Sequence, residues 1–421
     1  MAGVAAGLLL FVAACTGGGT PEPPLPTSPS TPAPLRGGTA IFAAEGWAEC
    51  LNPILRCARQ PWAWYTVFQH VLPRAMQLDP RGNLVASPLL VRAPTLQNGG
   101  LRRGPPFTIT FEISHRAVWS DGSRITSDDF AFTWKAILAP IRSALADRYG
   151  TITSIDTSDS RRPVLTLKEP TPAWPELFGG TTGFILKRSA FPEADPDIPD
   201  LRNEMLRSMP FSGGPWMLKS WSEDGAVLAR NSLYFGSPAL LDQVTFVRKA
   251  EQVDEFKAYL DGEVAALYPQ PSDVSLLDAC CEHQEATGGD STRFVALWLN
   301  TRVPPLDDRR VREALMHAID RQAVVDEIVK LNNPQAEVLN CGFMALPNLG
   351  PWCATRPFQR FNYDPARARA LLEDGGYDCS ARPCTKGEKP LRLEYMTPRA
   401  NTQLAVTQDL VKRRAAEAGF E

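Results

Sequence analysis

The side chains best suited to chemistry in this 421-residue chain are its nine cysteines and four histidines, and their spacing points to cross-linking instead of catalysis. Cys15 stands apart near the amino terminus. The other eight are Cys50, Cys57, Cys280, Cys281, Cys341, Cys353, Cys379 and Cys384, an even set of the kind that forms disulfides outside the reducing cytosol. Close spacing favours Cys50–Cys57, Cys341–Cys353 and Cys379–Cys384. The adjacent Cys280 and Cys281 are left to form a vicinal bridge or to stay reduced. His283 lies beside that pair, but nothing nearby completes four ligands at metal-binding spacing, so neither metal nor any other cofactor is expected. The remaining histidines, His70, His115 and His317, fall in unrelated stretches. No nucleophile elbow, HExxH helix or phosphate-cradling glycine loop accompanies them, and no enzymatic activity is expected.

Charge and composition narrow the field further. With 44 basic against 47 acidic residues, a net charge of −3 and 44% hydrophobic residues, the chain can bury several cores, and two or three domains are expected. A nucleic-acid partner needs clustered cations, and the basic residues here are balanced along the whole length; Arg102-Arg103 and Lys412-Arg413-Arg414 read as solvated faces. Residues 4–14 are apolar and end in Val12-Ala13-Ala14 before Cys15, which looks like a bacterial lipobox, the cysteine becoming the lipidated first residue of the mature protein. That run is about half the length that spans a bilayer. It lacks a preceding Lys or Arg, so the true start is expected upstream. Residues 16–38, rich in Pro, Gly, Ser and Thr, have almost nothing to bury and read as a disordered tether. These features place the protein, lipid-anchored, on the extracytoplasmic face of a bacterial membrane.

Positioning elements can be read from periodicity. Residues 294–300 (FVALWLN) form a short apolar run expected to be a largely buried strand, ended by Pro304 and Pro305. Asp307 and Asp308 then open a helix whose stripe is Val311, Ala314, Leu315, Ala318 and Ile319, and Asp320 caps a second one with Val324, Val325, Ile328 and Val329 inward. Residues 107–113 (FTITFEI) alternate as a strand, and 118–122 turn. Thr126 with Asp129 reads as a capping box opening a helix that buries Phe130, Trp134, Ile137 and Leu138. Residues 39–43 form a strand, and Trp62, Trp64 and Phe68 are read as core.

Four blocks in order resemble the oligopeptide- and nickel-binding solute-binding proteins of ABC importers. They are Trp119-Ser120-Asp121-Gly122 through Trp134; Gly214-Pro215-Trp216, Arg230-Asn231, Tyr234 and Leu241-Asp242; Asp308 through Arg321; and, more weakly, Tyr363-Asp364-Pro365 through Tyr377. The first is a structural signature, so Asp121, Asp128 and Asp129 are not read as catalytic. The resemblance implies an α/β, bilobal, periplasmic-binding-protein-like fold of type II with an extra inserted subdomain. The expected layout is a signal peptide at 1–15, the tether at 16–38, a first lobe from 39–55 and 155–265, the insertion at 56–154 and a second lobe at 266–421. Family members continue past the motif at residue 421, so the closing part of the later lobe is expected to be missing.

The loop ending Leu51-Asn52-Pro53 resembles one that borders the ligand cleft, which makes Glu45, Trp47 and Glu49 candidate ligand contacts. Trp298, Asn300 and Tyr395 are further candidates. Function follows as capture of a solute, with oligopeptide the leading class, and delivery by a monomeric receptor to a permease and its ATPase. Another small solute such as an oligosaccharide, or a lipoprotein that has lost transport, are the alternatives.

Overall fold

β1 (Thr39–Ala44) is the edge strand of a four-stranded sheet whose order is β1-β10-β9-β8, where β8 is Trp216–Trp221, β9 Gly225–Arg230 and β10 Gln243–Arg248. The computed structural model describes residues 36–80, 82–139, 143–268, 277, 279–280, 295–331, 334–340, 358–397 and 401–421. β1 runs parallel to β10, with Thr39 opposite Gln243 and Ala44 opposite Arg248, while β8, β9 and β10 are joined antiparallel. A small hairpin, β2 (Met76–Leu78) with β3 (Leu84–Ala86), precedes a second four-stranded sheet. In that sheet β4 (Leu101–Arg102), β5 (Phe107–Thr110), β6 (Ile152–Asp156) and β7 (Val164–Leu167) follow the order β4-β5-β7-β6.

Helix α1 (Ser127–Leu138) packs beside the second sheet and starts at the expected capping box of Thr126 and Asp129. Its inward side is Phe130, Phe132, Thr133, Ala136 and Ile137, with Trp134 half-buried. Leu138 departs from expectation and is 38% exposed, because one residue beyond Ile137 on the last turn is about 100° around the helix, off the buried face. Both sheets, α1 and residues 61–71 contribute to one continuous core containing Trp64, Phe68, Phe111, Trp119, Phe130, Phe178 and Phe184. Full burial of each such ring is worth ~2–3 kcal/mol of transfer free energy.

A separate core lies later in the chain. Helices α3 (Arg309–Ala318), α5 (Pro365–Asp374) and α6 (Thr402–Glu417) meet over Val311, Ala314, Leu315, Ala368, Leu372 and Ala415, together with Leu391 and Phe420. α2 (Gln252–Leu260) follows β10, and α4 (Arg321–Glu327) follows α3. Each of α3, α4 and α5 starts at an aspartate that accepts a backbone N–H: Asp308 from Arg310, Asp320 from Ala323 and Asp364 from Arg367. Each carboxylate satisfies an orphan donor and sits at the positive end of its helix.

Two expectations need correction. Residues 295–300 belong to no strand, and although Leu299 packs on the second core, Val295 is 61% and Trp298 84% exposed. The run is partly covered at Leu297 and Leu299 alone, and stays open at Val295 and Trp298. The tether is fixed earlier than expected, since Gly37 donates to the Leu240 carbonyl at 2.8 Å and Gly38 to Asp242 at 3.0 Å. Residues 1–35, with the apolar run and Cys15, lie outside the described residues, as do Cys281, His283, Cys341 and Cys353. Cys50–Cys57 and Cys379–Cys384 are disulfides, and Cys280 is disulfide-bonded. Among the described residues no helix is long and apolar enough to cross a membrane.

Candidate functional site

The chain leaves β1 at Ala44, whose carbonyl is held by the Lys249 N–H at 3.0 Å, and this places Glu45 just beyond the sheet edge. Facing it is Gln252, the first residue of α2 and only 5% exposed. The Gln252 amide nitrogen donates to Glu45 Oε1 at 3.4 Å, and its oxygen accepts from both the backbone N–H (2.9 Å) and the hydroxyl (2.7 Å) of Thr402. Thr402 opens α6, whose cap Asn401 accepts from the Leu404 N–H at 2.9 Å. One turn further on, Gln408 donates to the Tyr395 carbonyl. Tyr395 is half-buried, and loss of solvent pushes its hydroxyl above the usual tyrosine range.

Glu45 and Tyr395 are therefore brought to the first turns of the same helix, α6, from opposite ends of the sequence. The other candidates are placed differently. Trp47 is buried, stacked on Trp221 with ring centroids 6.5 Å apart, and donates to the Ser222 carbonyl at 2.6 Å, so its indole anchors the loop that carries Glu45. Glu49 is exposed beside the Cys50–Cys57 disulfide, its N–H on the Cys57 carbonyl. Asn300 is exposed and accepts from the Arg302 N–H at 3.2 Å, closing the turn after the exposed Trp298. Gln252, Thr402 and Gln408 were not singled out from sequence. A start of α6 is signalled by Asn401 before an apolar-periodic stretch, but a buried glutamine at the start of α2 has no local mark.

The carboxylates of the first signature block have structural employment. Asp121 pairs with the buried Lys187 and accepts from Ser123, and these bonds hold its carboxyl down at about 2. Gly122, at φ +84°, supplies the left-handed residue of that turn. Asp129 is 4% exposed, and burial pushes its pKa up despite three donors. A concavity of about 820 Å³ bounded by Leu96, Leu101, Phe107, Leu167 and Trp174 includes none of the candidate residues. Among the described residues no three His, Cys, Asp or Glu side chains are grouped to hold a metal.

The sequence profile of the bacterial extracellular solute-binding proteins, family 5, matches residues 105–421. A Brucella ovis protein named as an ABC transporter peptide-binding protein is 30% identical over 308 residues, 72% of this chain and 55% of that protein. The chain thus spans little more than half the length of that relative. Among solved structures, the periplasmic EDTA-binding protein EppA superposes with a TM-score of 0.75 at 21% identity, covering 92% of this chain and 73% of that one. The oligopeptide-binding protein AppA of Bacillus subtilis, in complex with a nonapeptide, gives 0.70 at 19% identity, covering 92% and 74%. These likenesses establish an α/β bilobal fold of the periplasmic-binding-protein kind. On the strength of a profile match running from residue 105 to residue 421, the chain belongs to the bacterial extracellular solute-binding proteins of family 5.

Proposed function

We propose that this protein is the lipid-anchored, monomeric receptor of an ABC importer, capturing oligopeptide between its lobes and presenting it to a permease and its ATPase outside the cytoplasm. The lobes are assigned to 39–55 with 155–265 and to 266–421, with 56–154 as an insertion on the first. The observation that carries the reading is the junction at which Glu45, from the β1 end, meets the amino-terminal turn of α6 through Gln252. A carboxylate joined through Gln252 to the first turn of α6 suits the amine of an extended peptide without reading its side chains. Binding then acts as a population shift, the ligand stabilising the closed arrangement by its better contacts there.

Thermal denaturation with and without peptide pools tests this. A pool present at a hundred times its Kd should stabilise the protein by ~2.7 kcal/mol, a rise of several degrees in Tm. Glu45→Gln should weaken that peptide about tenfold, the loss of one charge-assisted hydrogen bond. A rise with oligosaccharides alone would move the substrate class, and no rise with any solute would favour a lipoprotein that does not transport. The anchor is tested separately. With the signal intact, Cys15→Ala should move the protein from the membrane to the soluble fraction, and unchanged fractionation would remove the lipidation claim.

A further inference from the structure

We propose that the concavity bounded by Phe107, Leu167 and Trp174 is a binding site in its own right, for a small molecule with an apolar chain and a single anionic head, a free fatty-acid-like carboxylate. Its position follows from strand register. Phe107 at the start of β5 lies opposite Leu167 at the end of β7, and the pairing of Arg102 with Thr108 puts Arg103 beside Phe107 on the other flank. Phe107 and Leu167 are buried and belong to the main core, and the half-buried Leu101 and Trp174 pack against it. The apolar interior therefore comes to the surface here, in a hollow of about 820 Å³. That falls within the roughly 300–1,000 Å³ of small-molecule sites.

The lining argues against a peptide. Pro105, Pro106, Pro170 and Pro172 have no N–H, so two of the walls lack the main-chain donors with which an extended peptide pairs. Thr171 is engaged within its own loop, its hydroxyl accepting the Ala173 N–H at 3.2 Å and its carbonyl the Trp174 N–H at 3.3 Å. Polar chemistry is left to the rim, where the exposed Arg103 and Lys168 side chains enter no hydrogen bond or ion pair among the described residues. Arg102 is a third cation beside them, and Glu169 is the one carboxylate in residues 96–107 and 167–174. Cations at the edge of an apolar floor complement a molecule that is itself apolar with a negative end. A guanidinium fork can take such a carboxylate bidentate, and the ammonium adds a point charge. A bilayer surface is a poorer match, because membrane-contact faces project apolar side chains into lipid, and here the buried Phe107 and Leu167 lie at the bottom of a hollow.

Calorimetric titration of the full chain with octanoate, decanoate and dodecanoate, each below the concentration at which it self-associates, tests the assignment. One saturable site is expected, tightening about fourfold for each added methylene, the gain from burying one CH₂. Decyltrimethylammonium, with the chain of decanoate's length and the opposite charge, should bind at least about fivefold more weakly than decanoate. Arg103 and Lys168 are exposed, so replacing them should leave folding intact. Arg103→Gln should weaken decanoate about fivefold, and Arg103→Glu with Lys168→Glu should reverse the preference in favour of decyltrimethylammonium. Leu96→Ser, at the exposed apolar rim, should weaken decanoate about threefold by removing covered apolar area. Arg413→Glu, which removes an exposed cation of α6, is the control and should leave decanoate binding unchanged. Absence of a saturable site would overturn the proposal, as would a smaller preference for decanoate over decyltrimethylammonium, or a decanoate affinity that survives the double charge reversal. Sedimentation with phosphatidylglycerol vesicles that the double reversal abolishes, without binding of free decanoate, would overturn it in favour of a membrane-contact face. None of these readouts involves Glu45 or a peptide, so the receptor reading stands or falls separately.

Discussion

Replacing Asp129 by alanine should destabilise the protein by about 4 kcal/mol, one of the largest effects available from a single polar side chain in it. The carboxylate is almost wholly buried and collects three donors from separate parts of the chain. Oδ2 accepts from the Thr126 N–H at 2.9 Å and from the Trp119 indole at 3.2 Å, and Oδ1 from the Arg188 N–H at 2.7 Å. Each bond to an ionised group contributes ~1.5–3 kcal/mol net, and truncation leaves the donors unpaired in a site that water does not reach freely. Full additivity is not expected, because the three share one acceptor group. Asp129→Asn keeps the volume but turns one oxygen into an amine that faces a donor, and about 2 kcal/mol should be lost. Asp128→Ala, at the exposed neighbour, should stay within ~0.5 kcal/mol. Urea unfolding at constant m-value measures all three. A loss under ~1 kcal/mol for Asp129→Ala would show that these donors find other partners.

What was legible in the sequence was local. The capping box of α1, the aspartate caps of α3, α4 and α5 and the disulfides Cys50–Cys57 and Cys379–Cys384 all join residues a few positions apart. Their geometry follows from the helix repeat or from short loops, so spacing carries the information. The cores were legible where large apolar residues recur at helical or strand period, as with Trp64, Phe68 and Phe130. Reading failed where a second element decides the outcome. Alternation in residues 295–300 says that two faces differ, but not that Trp298 lacks a cover. The junction is the extreme case, because Gln252 and Thr402 are 150 positions apart and neither stands in a motif. Family resemblance pointed to the loop that carries Glu45, yet the residue that connects Glu45 to α6 became visible only when the chain was folded.

The second large effect is expected at Gly214, where a methyl group should cost at least ~3 kcal/mol by overpacking. A Cβ there would sit 2.1 Å from the backbone oxygen of His70 and 2.8 Å from its carbonyl carbon. No rotamer change relieves such a contact, because the obstacle is main chain. Nor can that main chain withdraw freely. The Val71 carbonyl accepts from the N–H groups of Gly213 and Gly214, each at 3.0 Å, and from the Ser212 hydroxyl at 2.9 Å. On the other side the buried Asn231 amide donates to the Gly214 carbonyl at 2.8 Å. Residues 212–214 are therefore pinned between the end of the helical stretch at 69–71 and the turn after β9, and β8 begins two residues later. Moving the segment enough to admit a methyl would break several of these bonds together, and the disturbance should reach the pairing of Trp216 with Arg230. Gly104, whose added Cβ meets nothing within 4 Å, is the control, and its alanine variant should change stability by under ~1 kcal/mol. Urea midpoints for the two variants, with amide exchange at Gly213 and Asn231, distinguish local strain from general weakening. Equal midpoints for Gly214→Ala and Gly104→Ala would mean that the backbone around His70 yields more cheaply than its hydrogen bonds imply.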